Sequence, residues 1–137
     1  MRSVSVVGIG QLPVEKATDL NLRQLGGEAV RRALEDAGVD RVDALYASNM
    51  LADEMQGQKH IASLIAEEAK LFGVEALQVR AAMASGAAAI RVAYLSVASG
   101  EADLAGAVGA EKMSEGVATP VLSKALDARR EVPDGAT

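Results

Sequence analysis

Residues 81–100 carry one charged side chain, Arg91, among Ala, Ser, Gly, Val, Ile, Leu, Met and Tyr. A helix on a protein surface keeps a polar face, and one that is apolar all round is covered on every side. One sheet built from the rest of the chain covers only one side of such a helix. The other side calls for a second sheet in a further segment, or for another subunit. Left bare, it is an aggregation liability. A simpler arrangement packs the helix between its neighbours, with Ser85, Ser96 and Ser99 facing water.

The remaining segments supply one sheet and its helices. Residues 4–9 (VSVVGI) are a β-branched run and read as a buried strand. Residues 11–18 are polar, contain Pro13 and read as a loop. Next, Leu22, Leu25, Ala29, Val30, Ala33, Leu34 and Ala37 share one helical face, with charged residues mostly opposite. Asp19 or Asn21 suits the N-cap, and Gly38 suits the C′ position. Gly26 and Gly27 inside this helix cost roughly 1 kcal/mol each against Ala, which implies close packing there.

Residues 42–47 (VDALYA) read as a second strand, 48–59 as a loop and 60–71 as a helix stopped by Gly73. Residues 76–82 read as a third strand, 85–99 as a helix ended by Gly100, and 104–110 as a fourth strand. A short helix is expected over 121–129 and a loop over 131–137. The order βαβαβαβ predicts an α/β fold with a mainly parallel sheet and helices on its faces.

Composition narrows the function. The 137 residues suit one core, and Tyr46, Phe72 and Tyr94 are the only aromatics. The net charge of −5, without a basic cluster, argues against nucleic acid. The absence of cysteine excludes disulfides, thiolate zinc sites and thiol catalysis by this chain, and fits a reducing compartment. The N-terminal apolar run is too short for a signal segment or a membrane span, so a cytoplasmic soluble protein is expected.

The sequence AAMASGAAA at 81–89 reads as a strand end, a tight turn and a helix start, the setting of a reactive side chain. It is followed by Ser99-Gly100-Glu101-Ala102-Asp103 and by Gly109-Ala110-Glu111-Lys112-Met113. Together with VDALYASNM and QKHIASLIAEEAKLFGV, these motifs resemble the N-terminal half of a thiolase. More narrowly, they resemble the acetyl-CoA acetyltransferase and sterol-carrier-protein-type thiolases. The resemblance runs from residue 4 to about residue 130. It implies two similar βαβαβαββ halves stacked in five αβαβα layers, with an Ala-rich helix buried in the middle layer. On that scheme residues 1–116 form the N-terminal half-domain, and 117–137 begin the loop region or form a tail.

The resemblance places the family's nucleophilic cysteine at Met83, within an elbow shared with Ser85 and Gly86. Methionine forms neither a thiolate nor an ordinary acyl thioester. The family's usual glutamate three residues earlier is Arg80 here. The resemblance implies a CoA thioester substrate, no covalently bound cofactor and no metal. It also implies that the family's activating histidine, second cysteine and oxyanion hole lie beyond this chain. In the family the strand before the elbow pairs across a two-fold axis. Here that strand would use Ala76, Leu77, Gln78, Val79, Arg80 and Ala81. The partner is then a second copy or a second thiolase-like half, and neither nucleic acid nor membrane.

Other features read structurally. Met83 itself suits an irregular core gap. Gly8 and Gly10 lack the third glycine and the immediate helix of a dinucleotide loop. Asp53 with Glu54, and Glu67 with Glu68, read as solvated pairs. Ser85 lacks a downstream histidine base and suits a helix cap, while Glu111 and Lys112 steady the turn after the fourth strand. His60 lies too early in the chain to match the family's histidine motif.

Three functional readings follow. One is a truncated or split thiolase-like acyl-CoA acyltransferase polypeptide, inactive alone. Another is a non-catalytic thiolase-like assembly subunit. The last is an unrelated doubly wound domain that binds a small ligand.

Overall fold

The computed structural model describes residues 1–116 and 118–125. Helix α1 spans Leu22–Ala37. Asn21 caps it with a reciprocal pair: its side chain accepts from the Gln24 amide, and the Gln24 side chain accepts from the Asn21 amide. Gly38 closes the helix in the left-handed conformation, at φ 68°. Strand β1 (Ala44–Ser48), strand β2 (Glu75–Val79) and strand β3 (Ala105–Gly109) form a parallel sheet in the order β2-β1-β3. Helix α2 (Ala52–Met55) is one turn inside the expected loop. Helix α3 spans Ile61–Glu68 and helix α4 spans Ser85–Ser99.

The strand register explains the layers. Leu45 and Ala47 of β1 face a core shared with Leu22 and Val30 of α1 and Ile61 and Ile65 of α3. Ala44 and Tyr46 point the other way, onto Ala89, Val92 and Ala93 of α4. Period-two alternation therefore sends α1 and α3 to one face and α4 to the other. A Cβ on Gly26 would lie 2.4 Å from the Ile65 Cδ1, so α1 approaches α3 closely at that point. This meets the requirement set by glycines inside a helix.

Four expectations are corrected. Residues 4–9 pair with no strand of the sheet. They run over α1 instead: a Cβ on Gly8 or Gly10 would strike the carbonyls of Ala33 and Ala29, at 2.4 and 2.2 Å. The Ile9 amide donates to Asp36 (2.8 Å), and Val6, Val7 and Ile9 remain exposed. The segment pairs at neither free edge of the β2-β1-β3 sheet, so three strands form where four were expected. Helix α3 stops before Gly73, because Lys70 already adopts φ 61°.

The third correction concerns α4, which is covered on one side only. Ser85, Ala89, Ser96 and Ala98 are buried, while Ile90 is 64% and Tyr94 44% exposed. The sheet covers one face and the opposite face is exposed, while the reading that turns Ser85 and Ser96 to water fails because both are buried. Residues Ala82–Ser99 are long and apolar enough to cross a membrane, with mean hydropathy 1.3. Their packing on Tyr46 and Ala44 is that of a helix laid on a sheet. Fourth, the expected helix at 121–129 begins earlier, as α5 (Ala118–Leu122) followed by a 3₁₀ turn at Ser123–Ala125. The rest of that helix, and the loop at 131–137, lie outside the described residues.

Candidate functional site

The carboxyl edge of a parallel sheet is where open α/β folds place their chemistry. Here that edge is formed by Ser48, Val79 and Gly109. The elbow rises beside it, between β2 and α4. Ala82 holds φ 48°, which is uncommon for a residue with a Cβ. Ser85 stabilises this bend from a buried position. Its hydroxyl donates to the Ala82 carbonyl (2.6 Å) and accepts from the Ala81 amide (2.9 Å). Ser85 therefore ties the turn before the helix and does not cap the first helical amides. The N-cap is Ala84, without a side-chain cap. The first turn of α4 thus directs its amides and positive dipole end toward the elbow.

Met83 stands at the tip, 82% exposed. This overturns the core-gap reading, because the side chain touches no interior. Gly86 follows in the first turn of α4.

Charged groups around the elbow are paired. Arg80 donates to both oxygens of Asp53, at 3.2 Å to Oδ2 and by a second, shorter bond to Oδ1. That guanidinium holds the Asp53 carboxyl below its ordinary value, and Asp53 in turn raises Arg80. Glu54 binds Lys124 at 2.6 Å, so neither acid of the Asp53–Glu54 pair is merely solvated. Glu67 and Glu68 likewise both bind Arg23. Glu111 accepts from the amides of Met50 (2.5 Å) and Leu51 (3.4 Å), and Lys112 pairs with Glu115 (2.8 Å). Those two residues do steady the segment after β3.

Two polar residues that the sequence did not single out line the same edge. Asn49 is buried, donates to the Ala110 carbonyl (2.6 Å) and accepts from the Ala52 amide (2.6 Å). Ser48 donates to Val108 (3.2 Å) and lies near Gly86 and Gly109. The carbonyls they donate to are about sixty residues away in sequence, so only the fold reveals those bonds. His60 is the exposed N-cap residue of α3 and takes no part in the elbow's hydrogen bonds. The strand proposed for association, with Leu77 half-exposed, lies at an edge of the sheet.

Residues 4–131 match the family model described as the thiolase N-terminal domain. The chain is 44% identical over 140 residues to an acetyl-CoA acetyltransferase from Methanocaldococcus jannaschii, and 41% identical to one from Methanothermobacter thermautotrophicus. All of the chain is covered in both cases, and it spans 36% and 37% of those relatives. Among solved structures it resembles 3-oxoacyl-[acyl-carrier-protein] synthase III from Aquifex aeolicus. The TM-score is 0.65 at 24% identity, covering 77% of this chain and 36% of that one. The corresponding enzyme from Pseudomonas aeruginosa gives 0.54 at 26% identity, covering 61% of this chain and 25% of that one. These likenesses displace the reading of an unrelated doubly wound domain: the chain belongs to the thiolase family and corresponds to its N-terminal domain.

Proposed function

We propose that this chain is the elbow-bearing part of a thiolase-type assembly that handles CoA thioesters, and that residue 83 seats the acyl group without being acylated. The observation that carries this reading is Met83 at the exposed tip of the elbow, in a chain without cysteine. A thiolate at that place would be stabilised by the first turn of α4 and could accept an acyl group. A thioether has no proton to lose and no lone acyl-accepting step open to it. The chain alone therefore performs neither thiolysis nor Claisen condensation. The thioester substrate is supported by the likeness to the two archaeal acetyl-CoA acetyltransferases. Cytoplasmic residence and the absence of a covalent cofactor belong to the same proposal.

The test compares intact masses after incubation with acetyl-CoA. The parent chain stays unmodified, whereas Met83→Cys gains an acetyl increment or at least a thiol that titrates below the ordinary value of about 8.5. An acetyl group carried by the parent chain contradicts the reading.

A second reading, a non-catalytic assembly subunit, is favoured by the exposed stripe of Met83, Ile90 and Tyr94 and by the open edge of β2. It predicts a stable homo-oligomer with no affinity for CoA. Light scattering together with CoA titration separates the two.

A further inference from the structure

The backbone amides of Met50, Leu51 and Ala52 lead into α2, and all three donate to side chains. Met50 and Leu51 share Glu111 Oε1, in a close bond of 2.5 Å and a longer one of 3.4 Å. Ala52 donates to Asn49 Oδ1 at 2.6 Å. Asn49 is itself buried and held, since its Nδ2 donates to the Ala110 carbonyl at 2.6 Å. An amide without an acceptor costs stability, and here two side chains satisfy three of them. The entry to α2 is thus hung from the exit of β3, at Ala110 and Glu111.

Helix α2 carries the other end of the connection. Its Asp53 takes the Arg80 guanidinium on both carboxylate oxygens. Asp53 first, and the charge of Glu111 after it, raise Arg80 above its ordinary value. The backbone of Arg80 runs directly into Ala81 and into Ala82 at φ 48°. Asn49, Arg80 and Glu111 each lie just beyond the end of a different strand. Together with Asp53 they join the ends of all three strands in one line. Met83 is 82% exposed, so interior packing does not hold it. Its place is set from either side, by Arg80 before it and by the hydrogen bonds of Ser85 after it.

We propose that Glu111 is a positioning residue for the elbow. It fixes the entry to α2, α2 presents Asp53, and Asp53 holds Arg80 and with it the orientation of Met83. This role rests on the elbow being the functional site, as proposed above. It is tested by geometry rather than by acyl transfer, so either reading can fail alone.

Methionine methyl NMR of the full chain supplies the readout. Met83→Leu assigns the Met83 signal, and the exposed Met1 serves as reference. Glu111→Ala is expected to move the Met83 methyl resonance. It should also speed amide exchange at residues 81–84 about fivefold, while α1 exchanges as in the parent. Glu111→Gln keeps one acceptor oxygen and should give a smaller change in the same direction. In a chain carrying Asp53→Ala the connection is already cut, so adding Glu111→Ala should no longer move Met83. Three results overturn the proposal: a Met83 signal and elbow exchange unaltered by Glu111→Ala, an equal acceleration in α1, or an effect undiminished in the Asp53→Ala chain. Where Glu111→Ala does not fold, Glu111→Gln alone and combined with Asp53→Ala carries the same comparison.

Discussion

The guanidinium of Arg80 grips both carboxylate oxygens of Asp53, so the chain three residues before Met83 is tied to α2. This pair fixes the loop after β1 against the end of β2. Both side chains remain partly exposed, at 40% and 30%, so the pair is screened by solvent. Arg80→Glu should cost about 1 kcal/mol, since it removes the pair and sets like charges together. Urea midpoints of R80E and of the R80E/D53R double variant check this, and the double variant should recover part of the loss.

Ser85 predicts a second outcome. Ser85→Ala removes the two hydrogen bonds that hold Ala82 at φ 48°. The Ala81 amide, only part-buried, then turns to solvent, so the loss should be about 1 kcal/mol. Thermal melting measures the loss, and faster amide exchange at residues 81–84 than in α1 would localise it to the elbow.

Close packing at Gly26 gives a third. Gly26→Ala improves helix propensity by roughly 1 kcal/mol. The added Cβ would nevertheless press on the fully buried Ile65, and overpacking costs about 1–3 kcal/mol. The net change should be destabilising, and Ile65→Val in the same chain should relieve it. Denaturant unfolding of the single and double variants provides the check.

Acid sensitivity gives a fourth. The Asp43 carboxylate accepts from the amides of Leu104 (3.0 Å) and Asp103 (2.9 Å), and those bonds lower its value below the ordinary 3.8. Asp53 is lowered in the same direction by Arg80. A folded value below the unfolded one means that the native state binds fewer protons. The stabilisation is then fully present above the unfolded value and is lost as pH falls through the folded one. Stability should therefore decline from about pH 4 downward. Asp43→Asn should flatten that decline, as followed by urea unfolding between neutral and acid pH.

The sequence made α1, α3, α4 and the three sheet strands legible because their apolar periods differ, and it missed the single turn of α2. Gly38 and Gly100 also marked helix ends correctly, and of the two N-cap candidates, Asp19 and Asn21, the structure selects Asn21. Residues 4–9 misled because β-branched composition reports a fitness for pairing and says nothing about whether the segment packs on a helix or on a free sheet edge. Gly8 and Gly10 were the quieter signal, since two bare Cα positions let the segment lie on α1. The elbow was legible in its small residues, but the exposure of Met83 was not, because exposure belongs to the tertiary arrangement. The Arg80–Asp53 pair spans 27 residues, and no local pattern links its two halves.

The measurement closest to the central claim is acetoacetyl-CoA formation from acetyl-CoA by the purified parent chain. None is expected above the uncatalysed background, because residue 83 offers no thiolate and the chain has no cysteine to replace it. Enzyme-dependent acetoacetyl-CoA, proportional to protein and unaffected by thiol-blocking reagents, would contradict it.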